Sequence, residues 1–333
     1  MRTTSFGIAN YCVPCRAHCR YCLLSSCGKA SGVGETEGME FAGRVLKELN
    51  KTRPDISAFY YIGYCMDTPR LAEYIAFCAE HRCPGASFLQ MNGFGFRDGR
   101  ELDTLMESVR GSGVELIDLT FYGTEKYHDR FAGRQGDFGF LLRMLASANR
   151  AGLRVNVSVP LIRENLAQME ELRRILSKYE TGSTMYFLPH SEGRGIALKD
   201  LRITRREFEE LPEFVRSSFV RAKHLTEAEW LSGGGIADPE TRVPTLVLTP
   251  DNFAHYSGMT AEGILKELED MDDRFLAQMP SALSLAERYG DPGNQQLFRL
   301  RDLLLKWQQM YIAETGGAVY DMNDESHTFT RHR

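Results

Sequence analysis

Short apolar segments alternate with amphipathic segments along the first 200 residues of the chain. The amphipathic segments repeat their apolar residues every three or four positions, which predicts helices. The predicted strands are 4–9, 58–62, 87–91, 115–120, 155–159 and 184–188, and the predicted helices between them are 38–50, 69–82, 100–112, 136–150 and 166–179.

This alternation predicts an α/β fold with parallel strands and right-handed crossovers. Six units fall short of the eight that close a barrel. We therefore expect an open, partial (β/α)6 barrel of the TIM type over residues 1–200. A doubly wound sheet is the competing topology, because periodicity does not separate the two.

The pattern changes in residues 201–333, where we expect a mostly helical region. The predicted helices are 204–222, 260–270, 281–289 and 294–314, and the tail 316–333 is polar. One β-hairpin is expected from 245–248 and 253–256, around the sequence Thr249-Pro-Asp-Asn. We expect these helices to close the open side of the barrel.

Composition excludes several classes of protein. The chain has 333 residues and a formal net charge of −5, so no basic surface for nucleic acid is expected. No apolar run approaches the roughly 18 residues of a membrane span. The amino-terminal residues lack the apolar stretch of a secretory signal, so a cytoplasmic location is expected.

The cysteines are unevenly distributed. All eight lie between Cys12 and Cys83, which is unlike a disulfide scaffold. Cys15, Cys19 and Cys22 are separated by three and then two residues, directly after the first predicted strand. Three thiolates suit an iron–sulfur cluster or zinc. Because a four-iron cluster ordinarily has four ligands, three would leave one iron open to a substrate or cofactor.

The segment resembles the CxxxCxxC signature of the radical S-adenosylmethionine (radical SAM) superfamily, in which the residue before the last cysteine is usually aromatic, as Tyr21 is. The resemblance extends to about Gly195. It is closest to the branch of SPASM-type peptide-modifying enzymes, molybdopterin-precursor synthases and viperin-like proteins. The alternative is a zinc knuckle with His18 or Cys12 as fourth ligand.

The resemblance implies one [4Fe-4S] cluster on Cys15, Cys19 and Cys22, with S-adenosylmethionine on the open iron. Reductive cleavage of that cofactor would give a 5′-deoxyadenosyl radical that abstracts hydrogen from a substrate, with an electron donor such as flavodoxin or ferredoxin. The segment 246–268 resembles a SPASM-type tail, but no cysteine follows Cys83. A single cluster is therefore expected.

Family motifs indicate further cofactor contacts. Where the family carries Gly-Gly-Glu-Pro, this chain has Gly63-Tyr64-Cys65. Three groups are therefore candidates for binding the cofactor's ammonium: backbone carbonyls, Asp67 and Cys65. The alternative for Cys65 is that it is a small buried apolar residue of the core. The remaining candidates stand at strand ends or on one strand face: Asn92, Thr120, Asn156, Ser158 and, through its backbone, Leu188. The alternative for Asn92 is that it shapes a turn. The alternative for Asn156 and Ser158 is that they form a hydrogen-bonded polar pair in the core.

The residues for chemistry on the substrate are less defined. His190, Glu192 and Arg194 follow the sixth strand, where such folds bind ligands, and are candidates for substrate contacts. Cys65 and Cys27 are candidate hydrogen donors, and Asp137 is expected to cap a helix. A peptide is the expected substrate, and a nucleotide, sugar or other small metabolite is the alternative. A non-catalytic iron–sulfur or zinc scaffold is the alternative to an enzyme.

Overall fold

The computed structural model describes residues 1–25, 28–63, 65–83 and 88–316. Its strands are β1 Arg2–Thr3, β2 Ser5–Val13, β3 Ser57–Gly63, β4 Phe88–Gln90, β5 Leu116–Thr120, β6 Arg154–Pro160, β7 Ser183–Phe187, β8 Leu225–Thr226, β9 Thr241–Arg242, β10 Thr245–Val247 and β11 Leu297–Phe298. Its α-helices are α1 Glu35–Thr52, α2 Leu71–Glu80, α3 Gly99–Gly111, α4 Glu125–Ala132, α5 Asp137–Arg150, α6 Met169–Leu176, α7 Arg205–Glu209, α8 Glu213–Ser217, α9 Glu227–Leu231, α10 Pro250–Ser257, α11 Ala261–Leu276, α12 Ala282–Tyr289 and α13 Leu300–Thr315.

Strands β2 to β7 form the predicted partial barrel. They lie in two parallel sheets, β2-β3 and β4-β5-β6-β7, and neighbours in each sheet are consecutive along the chain. A doubly wound sheet would reverse its strand order at a switch point, and no reversal occurs among these strands. Residues of β3 and β4 line one shared cavity, so the two sheets enclose a common interior.

Each strand of the barrel has one face toward the helices and one toward the interior. The valines of β6, Val155, Val157 and Val159, are fully buried in the main hydrophobic core together with Leu141 of α5. Asn156 and Ser158 alternate with these valines and therefore lie on the opposite, concave face. The polar residues that the sequence places on one face thus point into the barrel.

The predicted hairpin around residues 249–252 is wrong. Thr245–Val247 is a strand, but it pairs in parallel with Gly7–Ala9 of β2 and extends the sheet at that edge. The next segment is helix α10, because Thr249 caps it by accepting the Asn252 N–H and Pro250 occupies its first turn. The sequence that resembles a turn is a helix start.

Two predicted helices of the C-terminal region differ from those observed. Pro212 divides 204–222 into α7 and α8, since proline lacks the N–H that a continuous helix needs. The last helix begins at Leu300, because Leu297–Phe298 pairs antiparallel with β8. Trp307 is fully buried in a second apolar cluster built from this region.

No helix in the described ranges combines the length and apolar character that a membrane crossing requires. The segment 317–333 and the residues Ser26, Cys27 and Tyr64 lie outside the described residues. The division into domains at residue 200 stays a prediction.

Candidate iron–sulfur site

The cysteine motif lies on the loop that follows β2. Backbone hydrogen bonds anchor this loop to two other parts of the barrel end. Arg16 N–H donates to the Gly93 carbonyl at 2.9 Å, and His18 N–H donates to the Ala132 carbonyl at 2.8 Å. Gly133, in the left-handed conformation at φ 62°, lets the loop approach α4 closely, because a Cβ there would lie 3.0 Å from the Cβ of His18.

The three predicted ligands reach one space. Cys15, Cys19 and Cys22 all line a cavity of about 650 Å³ that runs from this loop past β3 and β4 to helix α2. Burial raises the pKa of the Cys19 thiol, and the nearby charges of Cys15 and Cys22 raise it further. Three thiolates here therefore need positive charge to offset their desolvation and mutual repulsion.

The donor set fits an iron–sulfur cluster. Thiolates are the ligands such clusters use, and their sulfurs commonly accept hydrogen bonds, as Cys15 Sγ does from the Ala17 N–H at 3.4 Å. Within the ranges that the structure describes, no three His, Cys, Asp or Glu side chains form a group that would hold a single metal ion. A four-iron cluster presents its irons at separate corners, so its ligands need not converge on one point.

An aromatic and polar network supports the motif from behind, and sequence reasoning missed it. The Tyr122 hydroxyl lies 3.0 Å from Cys19 Sγ, and the Tyr122 ring packs on Tyr21 with centroids 5.5 Å apart. His128 Nδ1 accepts the Tyr122 N–H at 3.1 Å, which places a proton on Nε2 for Asp137, 3.1 Å away. The signal available was the position of Tyr122 just after a strand.

The prediction for Asp137 as a helix cap is wrong. Asp129 performs that role by accepting the N–H groups of Gly136 and Phe138 at 2.6 and 2.9 Å. Asp137 is the first residue of α5 and binds His128 and Arg134 instead. The sequence places both carboxylates near the helix start, and only the fold decides which one reaches back to it.

Gly63 and Cys65 both line the cavity, whereas Tyr64 lies outside the described residues, and contact of these residues with the cofactor stays a prediction. A Cβ on Gly63 would lie 2.5 Å from Val13 Cβ, so the close approach of β2 and β3 requires glycine there. The buried Cys65 thiol neighbours Cys15, and their hydrogen bond lowers the pKa of Cys15 and raises that of Cys65. Asp67 is engaged by Arg97 and by the Gly95 N–H at 2.7 Å.

Asn92 acts within the protein framework. Its amide donates to the Thr120 carbonyl at 3.0 Å and accepts the Thr120 N–H at 2.7 Å, so it ties the end of β4 to the end of β5. Asn92 also lines the cavity, while Thr120 is 1% exposed. Asn92 therefore has a role in the protein framework at the strand end, and its contact with the cofactor stays a prediction.

Asn156 and Ser158 share the concave face with Asp118, a residue that the sequence analysis did not single out. Asp118 is in register with Asn156, and the Ser158 hydroxyl donates to Asp118 Oδ2 at 2.8 Å. Burial raises the pKa of Asp118 to about 6, against the lowering effect of the Ser158 hydrogen bond. Its position two residues before Thr120 on the same strand face was the available signal.

The candidates after β7 are bound into the protein. His190 contacts Arg299, and burial lowers its pKa to about 3, so its ring is neutral. Glu192 is 1% exposed and lies 3.8 Å from Arg301. Arg194 donates from Nε to the Cys19 carbonyl at 2.9 Å and from its backbone N–H to the Cys22 carbonyl, so it braces the cysteine loop. Leu188 is buried in the main core.

Three further candidates were expected near the loop: Cys12 and His18 as a fourth metal ligand, and Cys27 as a hydrogen donor. The structure describes Cys12 and His18, whereas Cys27 lies outside the described residues. The Cys12 thiol donates to the Ile62 carbonyl at 2.9 Å, and burial raises its pKa to about 11. His18 is exposed on the outer side of the loop. Neither is among the cavity-lining residues.

Neither a family model nor a curated protein matches the sequence. Several solved structures are similar to it at low identity. SuiB of Streptococcus suis bound to the precursor peptide SuiA shares 13% identity over 62% of this chain and 45% of its own, with a TM-score of 0.47. The enzyme anSMEcpe with bound AdoMet and a Cp18Cys peptide shares 15% over 62% and 56%, with a TM-score of 0.40.

Coproporphyrinogen III oxidase (HemN) of Escherichia coli, described as a radical SAM enzyme, shares 16% identity over 64% of this chain and 49% of its own, with a TM-score of 0.38. The chain thus spans about half the length of these structures. Two features of this chain resemble the radical SAM superfamily: the spacing of its cysteines and the parallel partial barrel that carries them.

Proposed function

We propose that this chain is a radical SAM enzyme that holds one [4Fe-4S] cluster on Cys15, Cys19 and Cys22. The observation that carries the proposal is that all three cysteines of the CxxxCxxC motif, on the loop after β2, line one cavity of a parallel partial barrel. When bound, the cluster and S-adenosylmethionine supply reductive cleavage and a 5′-deoxyadenosyl radical that abstracts hydrogen from the substrate.

The residues of the chain orient these groups and exclude water. The Tyr122 hydroxyl stabilises the sulfur of Cys19, and Arg194 holds the carbonyls of the loop. Tyr21, packed between Tyr122 and Phe187, forms an apolar wall behind the ligands. Backbone carbonyls near Gly63 and the thiol of Cys65 remain candidates for contact with the cofactor's ammonium group.

A peptide is the substrate class that we propose, on the resemblance to the SPASM-type branch. The electron is expected from a donor such as flavodoxin or ferredoxin, in the cytoplasm. A phosphorylated substrate gains no support, since Arg163 is paired with Glu207 and Arg194 with the cysteine loop.

A small metabolite is the second candidate, and the two outer edges of the barrel strands, at β2 and β7, favour it. β10 covers the edge of β2, and Tyr186 of β7 exchanges backbone hydrogen bonds with Ser218 and Val220. A peptide therefore has no free edge at these positions on which to add as a strand. Under our proposal it enters the interior by a side chain or a terminus.

Anaerobic reconstitution tests the proposal. The protein should bind about four iron atoms per chain, and after reduction with dithionite it should convert S-adenosylmethionine to 5′-deoxyadenosine. Cys19→Ala should lose both the cluster and the cleavage. Cys12→Ala is the matched control and should retain both, because Cys12 bonds to Ile62 and does not line the cavity.

The alternatives give different results. Zinc in anaerobically purified protein, lost on Cys12→Ala or on replacement of His18, would establish a zinc knuckle. A fully loaded cluster without cleavage, with and without candidate substrates, would establish a scaffold.

A further inference from the structure

The concave face of β5 and β6 carries a buried carboxylate, that of Asp118. Asp118 is 7% exposed, and its register neighbours are Gln90 on β4 and Asn156 on β6. Residues in register on neighbouring strands share a face. Gln90 lines the cavity that begins at the cysteines, so this polar group lies beside the same space.

Asp118 differs from every other buried carboxylate in the described residues. Each of the others has a cationic or N–H partner. The partners are the N–H groups of Gly136 and Phe138 for Asp129, Arg134 for Asp137, Arg301 for Glu192, Lys306 and Trp307 for Glu227, Arg242 for Asp272, and Arg202 for Asp302.

The side chain of Asp118 accepts one hydrogen bond in the described structure, from the hydroxyl of Ser158 to Oδ2. No charged group of the described chain shifts its pKa, which burial raises to about 6. A buried carboxylate without a cation is costly, and proteins keep few of them. Asp118 is one strand away from the cavity wall, in register with Gln90, which lines the cavity. A perturbed carboxyl group next to a cavity is a candidate for a site whose counter-charge arrives with a ligand.

We propose that Asp118, supported by Ser158, receives a positively charged nitrogen of the substrate. This rests on the proposed function only in taking the cavity as a substrate site. The apolar surroundings define the rest of the ligand, since Phe88 and Met185 are each 42% exposed on the same concave face. The substrate class is therefore an amine or guanidinium on an apolar stem, as in a lysyl or arginyl side chain.

The test measures binding of n-butylamine and n-butylguanidine to the reconstituted full chain at pH 7.5, with n-butanol as the uncharged probe, by ligand-observed NMR. The wild type should bind both cations more tightly than the alcohol. Asp118→Asn should weaken binding of the cations by about tenfold and leave the alcohol unchanged. Asp118→Glu, which keeps the charge, should retain the preference for cations.

Glu115→Gln is the matched control, because it removes one charge just before the same strand from an exposed side chain paired with Arg154. It should bind all three probes as the wild type does. Equal binding of cations and alcohol by the wild type, or unaltered cation binding by Asp118→Asn, would overturn the proposal.

Cleavage of S-adenosylmethionine without substrate, measured on the same preparations, separates the two proposals. If the protein cleaves S-adenosylmethionine but does not prefer cations, only the proposed role of Asp118 is rejected. If it prefers cations but does not cleave S-adenosylmethionine, only the proposed radical chemistry is rejected.

Discussion

The sulfur of Cys19 lies 3.0 Å from the hydroxyl oxygen of Tyr122. The hydroxyl is held in place, since the Tyr122 ring stacks on His128 with centroids 4.8 Å apart and His128 is fixed by Asp137. When Cys19 is a thiolate ligand, Tyr122 is a fixed O–H donor to it. Hydrogen bonds to ligand sulfurs are among the factors that set the reduction potential of a cluster.

Tyr122→Phe should lower the reduction potential of the cluster by tens of millivolts. The reduced cluster carries one more negative charge and gains more from the O–H donor than the oxidised cluster does. A difference of about 1 kcal/mol corresponds to roughly 40 mV for one electron. An anaerobic redox titration followed by electron paramagnetic resonance measures the shift.

Tyr127→Phe is the control for this prediction. It removes the same atom from a tyrosine whose hydroxyl donates to Glu164 at 3.1 Å instead of lying against a cysteine sulfur. The potential of this variant should equal that of the wild type. A potential unchanged in Tyr122→Phe would show that its hydroxyl does not donate to the ligand sulfur in the loaded protein.

Gly93 holds space for the sulfur of Cys15, one of the three proposed ligands. It has φ 82°, and a Cβ there would fall inside van der Waals contact with Cys15 Sγ. Gly93→Ala should therefore displace Cys15 and lower the iron content of reconstituted protein by at least half, with the helical circular dichroism retained. Strain of about 1–2 kcal/mol from a left-handed alanine adds a modest loss of stability.

Gly113→Ala is the control that separates the steric clash with Cys15 from the backbone strain of a left-handed alanine. Gly113 has φ 88°, and nothing described lies within 4 Å of where its Cβ would stand. This variant should show the same fall in unfolding temperature with full iron content. Equal iron content in both variants would mean that Cys15 moves aside at no cost to the cluster.

The barrel was predictable from sequence because its elements are local. The alternation of apolar residues in Val155–Val159 and the spacing along α1 follow from which face each element buries. The C-terminal region was less predictable. Thr249-Pro250 fits a turn or a helix start equally by composition, and the partner of Thr245–Val247 lies more than two hundred residues away on β2.

In the candidate site, too, the local features were predictable from sequence and the contacts between distant segments were not. The spacing of Cys15, Cys19 and Cys22 predicted one shared site, and the three line one cavity, because residues on one loop are close in sequence. Tyr122 and Asp118 were missed, because their importance comes from contacts with Cys19 and Ser158 on other segments. Arg194 was expected to meet the substrate, and only the folded chain shows that it meets the loop carbonyls.

Cys65→Ala tests whether one iron stays open to the cofactor. Cys65 is 4% exposed and lies against Cys15 and the Gly93 carbonyl, 3.7 Å from its sulfur. If three cysteines hold the cluster, this variant should still bind about four iron atoms per chain, and added S-adenosylmethionine should still alter the electron paramagnetic resonance spectrum of the reduced cluster.

Cys15→Ala is the comparison for Cys65, because it removes a thiol from the same contact and should lose the cluster. A cluster lost equally in both variants would identify Cys65 as a fourth protein ligand. No iron would then be free for the cofactor, and the proposed function would fail.

Asp118→Asn should stabilise the protein, and more so as the pH rises. The pKa of Asp118 is about 6 in the fold, above the ordinary value of 3.8 for an aspartate, so the folded chain holds the proton more tightly than the unfolded chain. Its carboxyl therefore lowers the free energy of unfolding progressively from about pH 4 to just above pH 6, after which the effect is constant. The total effect is at most about 3 kcal/mol.

The asparagine variant lacks this titration. Its advantage over the wild type should be larger at pH 7.5 than at pH 5 by roughly 1 kcal/mol, measured as the difference in unfolding midpoints at the two pH values. Glu115→Gln, exposed and on the same stretch of chain, should show no such growth with pH. An advantage that does not change between pH 5 and 7.5 would show that Asp118 is ionised throughout, and hence that a cation already neutralises it in the free protein.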